Sequence, residues 1–263
     1  MPDTDFDAAR AALVQARRNA AVADLPPAWT PHDLAAAMRL QRAVAVALGA
    51  TRGWKVSAIT AEGQRALGVD GPIAGPLLSP LLVDSGATLR GRQFVRPKIE
   101  CEFAFELEHD LPPRAEPWTR AEVAAAVGAM CIGIEIVDSR LPASAGTLAQ
   151  LADGLNNGAY VVGPATRDWA AVRWADTQIV LQRRAPDGAA TEVARGDGRA
   201  ILDGDPFGAV VLLANAATLA PRGLFAGDLI TTGSCTGAPE LPGAGDYEAD
   251  FGTLGRVAVR IED

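Results

Sequence analysis

Three acids carry the chemistry legible in this chain. In Arg96-Pro-Lys-Ile-Glu-Cys-Glu-Phe-Ala-Phe-Glu106, apolar and acidic residues alternate, the period of a β-strand whose successive side chains point to opposite faces. Ile99, Cys101, Phe103 and Phe105 would share one face, and Glu100, Glu102, Ala104 and Glu106 the other. Glu100 and Glu102 stand about 6–7 Å apart along such a strand, within reach of one ion. Like charges on one partly buried face push one pKa upward unless a cation joins them. Taken alone, the pattern fits equally an amphipathic strand with its acidic face in water. A third acid, Glu135, interrupts Met130-Cys-Ile-Gly-Ile-Glu-Ile-Val-Asp138, a run otherwise apolar enough for a fully buried strand. An ionised carboxylate there needs a hydrogen-bonding, cationic or metallic partner, because its desolvation is costly. Three carboxylates with no nearby His describe a site for a hard cation, Mg²⁺ or Mn²⁺, and not for Zn²⁺.

Lys55 is the basic residue to place beside them. It lies in the short strand-like run Gly53-Trp-Lys-Val-Ser57, where an amine is partly desolvated unless it faces an acid or an anion, although a lone Lys is usually solvated. Asp153-Gly-Leu-Asn-Asn-Gly158 precedes the strand Ala159-Tyr-Val-Val-Gly163 and reads first as a turn. The amides of Asn156 and Asn157 can also line a pocket for carbonyl or carboxylate oxygens. Gly227-Asp-Leu-Ile-Thr-Thr-Gly-Ser-Cys-Thr-Gly237 is a strand running into a Gly/Thr/Ser loop that brings Thr232 and Ser234. It has neither GK[ST] nor GxGxxG spacing and is not a nucleotide loop. Arg140, Arg96 and Lys98 are cations for a distal carboxylate, or surface residues.

The elements around these residues follow from periodicity. Residues 6–22 predict a helix stopped by Pro26-Pro27, and Thr30, Pro31, Asp33 and Gly49 bracket a second. Thr119-Arg-Ala-Glu122 opens an alanine-rich helix to about Met130. Residues 175–202 predict a hairpin turning at Pro186-Asp-Gly188, Asp205-Pro206 a helix to about Leu219, and Gly243-Ala-Gly-Asp246 a turn into a last strand, 255–261. Helices gather at the front and between strands, so the class is α+β, with residues 1–50 a helical extension packed on a single catalytic mixed-β unit, 51–263.

Composition narrows the function. With 263 residues and 49% hydrophobic content the chain is globular. A net charge of −8 and a pI near 4.9 argue against nucleic acid or an anionic membrane as partner, so attraction of an anionic substrate must be local. No run is apolar enough to span a membrane, and the acidic opening is unlike a signal peptide, so a cytoplasmic location is expected. Cys101, Cys131 and Cys235 form neither a disulfide framework nor a CxxC pair and read as core residues. The two histidines, His32 and His109, read as surface residues, which leaves no His-based triad.

With these residues placed, the chain resembles the 2-keto-4-pentenoate hydratase / 2-oxohepta-3-ene-1,7-dioate hydratase / 4-oxalocrotonate decarboxylase branch of the fumarylacetoacetate hydrolase superfamily. Four blocks carry the resemblance: Gly53-Trp-Lys-Val with Leu67-Gly-Val-Asp-Gly-Pro72; Pro97-Lys-Ile-Glu-Cys-Glu-Phe-Ala-Phe105 with Asp110-Leu-Pro112; Ile134-Glu-Ile-Val-Asp-Ser-Arg140; and Gly227-Asp-Leu-Ile-Thr-Thr-Gly233. It implies a mixed, rolled β-sheet core of the superfamily's C-terminal-domain type with N-terminal helices, assembled as a homo-oligomer. It implies Glu100, Glu102 and Glu135 as ligands to Mg²⁺ or Mn²⁺ and Lys55 as a catalytic residue against the substrate, with Asp153 kept from the family's pattern as a second; the residues themselves offer Asn156, Asn157, Arg140, Thr232 and Ser234 as substrate-binding candidates. The implied substrates are small 2-oxo acids from the catabolism of aromatic rings, handled by a hydratase through a metal-chelated enolate.

The chain departs from that pattern in two places. Ile73 stands where hydratases of this branch commonly place an acid, a candidate for handling water, and Gly154-Leu155-Asn156 replaces the usual Asn-Ala-Ser/Cys after Asp153. The first departure leans toward a decarboxylase of the 4-oxalocrotonate type. An acylpyruvate C–C hydrolase fits less well, since those relatives use a His–Glu pair. A non-catalytic protein that keeps the metal and binds 2-oxo acids is the alternative outside enzymology.

Overall fold

The computed structural model describes residues 3–26, 29 and 31–263. Helices α1 (Asp3–Asn19) and α2 (Leu34–Leu48) come first. Helix α2 begins later than the Pro31 signal suggests, because Asp33 is its N-cap and accepts from the Ala36 amide at 2.7 Å. The expected Thr30 cap and Pro27 of the first stop signal lie outside the described residues. Strands then take over: β1 (Thr51–Ser57), the short helix α3 (Ala61–Leu67), β2 (Ile73–Leu78), β3 (Leu82–Asp84), β4 (Thr88–Arg90) and β5 (Pro97–Leu107). The second half holds α4 (Arg120–Ala126), β6 (Val127–Asp138), α5 (Thr147–Ala152), β7 (Asn157–Thr166), β8 (Gln178–Arg184), β9 (Ala190–Asp197), α6 (Phe207–Ala214), β10 (Leu229–Ser234), β11 (Gly245–Asp250) and β12 (Arg256–Glu262).

The fold is α+β, built on two mixed sheets. Seven strands run in the order β2-β1-β10-β5-β6-β7-β3 and five in the order β4-β12-β11-β8-β9. Pairs β1/β10, β3/β7 and β4/β12 are parallel and the rest antiparallel. Register slips between Thr231 and Ser234, and between Cys131 and Gly133, bend the larger sheet where β10, β5, β6 and β7 adjoin. The apolar face of β5 lies against the rest of the core, with Phe103 meeting Phe251 edge-on at 5.8 Å and Phe105 meeting Phe207 at 5.5 Å. Ile99, Cys101, Phe103 and Phe105 are fully buried, so this face supplies the hydrophobic drive that holds the acidic face in place.

Helices α1 and α2 pack their own apolar cluster, Leu13, Val14, Leu40 and Val44, onto Leu141 and Ala152. Buried Gln41 of α2 ties this layer to the sheet, donating to Ala74 O at 3.0 Å and Leu151 O at 2.8 Å. No helix among the described residues is long and apolar enough to cross a membrane.

Several expected boundaries move. The alanine-rich helix stops at Ala126, not near Met130, because residues 127–130 gain strand partners on β5, Met130 lying opposite Phe105; pairing overrides the helix preference of Ala. Helix α6 ends at Ala214, where Asn215 folds its amide back onto Val211 O at 3.0 Å. Between the turn expected at 243–246 and the last strand lies an unexpected strand, β11, which begins at Gly245 and is held between β8 and β12 with Tyr247 and Ala249 fully buried. The hairpin of β8 and β9 and the last strand lie where periodicity predicts.

Candidate active site

The site is built on adjacent rungs of β5 and β6. Glu100 faces Glu135 directly across the antiparallel pair, and Glu102, one pleat further, faces Gly133. All three lie on the sheet face opposite Ile99, Cys101 and Phe103, and are 8%, 1% and 1% exposed. One carboxylate oxygen from each lies within 4.8 Å of the others. Gly133 is part of the arrangement: a Cβ there would fall 2.2 Å from Tyr160 Oη, so only glycine lets the Tyr160 ring cross the strand.

Lys55 arrives from β1, two strands away. The register Lys55–Thr231–Ala104 across β1, β10 and β5 puts it on the carboxylate face. Its ammonium is buried and donates to Glu135 Oε1. Glu102 Oε2 accepts from the Gly233 amide at 3.0 Å, while Glu135 Oε2 is buried without a donor.

The electrostatics leave the cluster short of positive charge. Three carboxylates face one ammonium, a net of −2 when all are ionised. Burial, followed by the charge of Glu135, raises the Glu100 carboxyl to about 7. Burial, then Glu135 and Glu100, pushes Glu102 well above the usual carboxylate range. Burial pulls the Lys55 pKa down, but Glu135, Glu100 and Glu102 outweigh it and hold it above the ordinary lysine value. The donor set is three hard oxygens, with Glu135 Oε2 lacking any protein donor, and it fits a small divalent cation of the Mg²⁺ or Mn²⁺ kind.

The other expected residues separate into distinct environments. Arg140 and Asp153, both at most 2% exposed, bind each other: Arg140 Nε donates to Asp153 Oδ1 at 3.1 Å, and Asp138 adds a second carboxylate at 3.4 Å. Their side chains are thus committed to a buried ion cluster, not open to a ligand. Asn157 is committed as well, donating to Pro76 O at 2.5 Å and accepting from Arg17. Burial and the nearby Arg140 lower the Arg17 pKa to about 9. Thr232 gives its hydroxyl to Phe103 O at 3.0 Å and belongs to the sheet face away from Lys55. Ser234 lies opposite Glu102 and donates to Gly237 O at 2.9 Å.

Asn156 keeps a free atom. Its Nδ2 donates to Gln150 at 3.1 Å, and its Oδ1 is buried with no partner. Gly154, Leu155 and Asn156 all have positive φ (76°, 57° and 58°), a costly sequence of left-handed conformations for two non-glycine residues. The turn presses the Gly154 carbonyl against Gly75, the cross-strand neighbour of Lys55, where a Cβ would approach it to 2.6 Å. Ile73 is 1% exposed and shares the face of Lys55 by register.

Two residues escaped sequence reading. Thr231, not Thr232, faces the site, with its hydroxyl buried and unpartnered, and Tyr160 brings a buried hydroxyl in the same condition. Alternation could have found Thr231 only with the β1–β10 register in hand; nothing local marks Tyr160 as more than a core residue. His32 and His109 are exposed, and the three cysteines are buried and free.

No family model matches the chain. It is 30% identical over 261 residues to 2-keto-4-pentenoate hydratase 2 of Dechloromonas aromatica (strain RCB), covering 95% of each chain. It is 31% identical over 206 residues to the 2-keto-4-pentenoate hydratase of Burkholderia vietnamiensis (strain G4 / LMG 22486), covering 78% of this chain and 76% of that one. In fold it is similar to 4-oxalocrotonate decarboxylase from Pseudomonas putida G7, a structure complexed with magnesium and adipate, with a TM-score of 0.82 over 99% of this chain and 98% of that one at 21% identity.

Proposed function

The chain belongs to the 2-keto-4-pentenoate hydratase family of the fumarylacetoacetate hydrolase superfamily, and from that premise we propose a divalent-metal-dependent hydro-lyase acting on a small 2-oxo acid. The observation that carries the reading is the buried Glu100–Glu102–Glu135 cluster faced by a single lysine. Glu100, Glu102 and Glu135 would hold Mg²⁺ or Mn²⁺. A bound cation of this kind supplies Lewis-acid polarisation of a 2-oxo group and offsets the negative charge that develops on its oxygen.

The chain's own residues supply the rest. Lys55 Nζ holds a proton beside Glu135 Oε1 in a buried site, and would give or take it at the substrate carbon that changes hybridisation. Glu102 is oriented by the Gly233 amide, so its carboxylate needs little rearrangement. The turn 154–156 packs against Gly75 of β2, the cross-strand neighbour of Lys55.

Ile73 favours one second reading. A buried aliphatic side chain on the face of Lys55 offers no group to activate water there, which suits a decarboxylase of the 4-oxalocrotonate type. We also propose that residues 1–50 are a helical extension on a catalytic unit of 51–263, that the chain assembles as a homo-oligomer, and that three free, buried cysteines suit a cytoplasmic setting.

The test is the purified protein with Mg²⁺ or Mn²⁺ against 2-hydroxypenta-2,4-dienoate, its longer dicarboxylate homologue, 4-oxalocrotonate and an acylpyruvate, following ultraviolet loss of conjugation and CO₂ release. Metal-dependent loss of the dienol without CO₂ is expected, and it should vanish in Glu100→Ala and Glu135→Ala. Release of CO₂ selects the decarboxylase; inertness toward all four substrates refutes the lyase reading.

A further inference from the structure

The chain contains 22 arginines and two lysines, Lys55 and Lys98, and both lysines lie on the carboxylate face of the larger sheet. Lys98 precedes Glu100 by two residues on β5 and faces Val137 across β6, as Glu100 faces Glu135. The rungs Lys98/Val137, Glu100/Glu135 and Glu102/Gly133 therefore follow one another on one face, roughly 7 Å apart. Lys98 and Val137 line a cavity of about 520 Å³, together with Arg96, Gln150, Asn156 and Glu240. None of the three acids lines the cavity, but its Lys98/Val137 rung is the neighbour of the Glu100/Glu135 rung on the same face.

The cavity holds two cations without an acid partner among the described residues. About half of the chain's arginines are matched to acids, as in Arg120–Asp205, Arg222–Asp228 and Arg260–Asp246. The Lys98 ammonium has no hydrogen-bond or ion-pair partner among the described residues, although Glu240 lies beside it by a backbone bridge. Arg96 spends one guanidinium nitrogen on the Leu141 carbonyl and forms no ion pair among the described residues. Arg140, the third cation that sequence offered for an anion, is neutralised by Asp153 and Asp138. With Glu240 counted against Arg96 and Lys98, the cavity carries one excess positive charge in a chain whose net charge is −8. A local cation of this kind gives an acidic protein a fixed point of attraction for an anion.

We infer that this cavity receives the distal end of the substrate and that Lys98, aided by Arg96, selects a second carboxylate there, so that the substrate is a 2-oxo dicarboxylic acid. The inference rests on the proposed function, which puts the 2-oxo end of the substrate at Glu100, Glu102 and Glu135. A short carbon chain reaches from that cluster to the next rung. The flexible, compact ammonium of lysine suits contact with a mobile chain end that does not demand a two-point fork.

Isothermal titration of the Mn²⁺-loaded protein with two unreactive acids of equal chain length, 2-oxoadipate and 2-oxohexanoate, tests it. The diacid should bind about tenfold more tightly at low ionic strength, and salt should shrink the difference. Lys98→Met and the double variant Lys98→Met/Arg96→Ala should reduce the advantage to twofold or less, with 2-oxohexanoate affinity held within twofold of wild type, which also reports an intact fold. Equal binding of the two acids by wild type, or an advantage that survives in both variants, overturns the inference and leaves the proposed function standing. Failure of either acid to bind overturns both.

Discussion

Lys55 and Glu135 are joined across the sheet although β10 and β5 separate their strands: the Lys55 ammonium donates to Glu135 Oε1, and both side chains are buried. The lysine therefore reaches over the Glu102 rung to the far side of the acid cluster and is the only positive charge that the described residues place there.

Removal of that charge separates chemistry from metal binding. Lys55→Met should lower kcat by about 100-fold or more, the range for a lost proton-transfer group. Titration of Mn²⁺ into the variant should show affinity equal to or above wild type, because a competing cation has gone. A large loss of Mn²⁺ affinity would instead give Lys55 a structural part in the metal site.

Metal removal should destabilise the protein, and one acid substitution should partly reverse that. Excess Mg²⁺ or Mn²⁺ should raise Tm relative to chelator-treated protein, as any ligand bound by the native state alone does. Glu102→Gln relieves repulsion in a site where burial and two neighbouring carboxylates oppose ionisation. Its metal-free Tm should equal or exceed wild type, while its metal affinity falls by at least about 100-fold. Differential scanning calorimetry with and without chelator measures both.

The pH dependence has a definite sign. Glu100 titrates at about 7 in the folded protein against an ordinary value of 4.5. Between these values the native state holds a proton that the unfolded state has released. Glu100 therefore takes stability from the metal-free protein as pH rises from about 4.5 to 7, and its contribution to Mn²⁺ affinity grows over the same window because the cation replaces that proton. Both slopes should flatten in Glu100→Gln relative to wild type. Exposed His32 and His109 are common to both proteins and cancel in the comparison.

Asp153 distinguishes a structural acid from a catalytic one. Its carboxylate is bound to Arg140 in a cluster with Asp138. Loss of one member of a buried pair leaves a poorly compensated charge, so Asp153→Ala should cost about 3 kcal/mol of stability in urea denaturation. Normal stability with lost activity would return Asp153 to the reaction itself.

Gly133 is predicted to be intolerant of even one added carbon. A Cβ there would fall within the Tyr160 phenol, so Gly133→Ala should cost about 1–3 kcal/mol and weaken Mn²⁺ binding by shifting Glu102 on the facing strand. Tyr160→Phe removes a buried hydroxyl that has no partner and should leave the metal-free Tm unchanged or higher. The double variant Gly133→Ala/Tyr160→Phe should recover part of the loss, since the clash is with the hydroxyl and the edge of the ring.

Much of the site is written in local pattern, because strand periodicity is a property of neighbouring residues. Alternation along 96–106 assigns Glu100 and Glu102 to one face, and an acid inside an apolar run marks Glu135 as needing a partner. The same rule predicted the β8–β9 hairpin. It could not locate β11, whose glycines and acids carry little strand preference and which is held by the strands on either side. Whether Glu135 faces Glu100, whether Thr231 or Thr232 faces Lys55, and whether Arg140 awaits an anion or is already neutralised all depend on the registers of β1, β10, β5 and β6 and on how the 139–157 segment folds back. Those relations join residues as far apart as Lys55 and Thr231. They are settled by which apolar faces bury together and which buried charges can be matched, so only the assembled tertiary structure decides them.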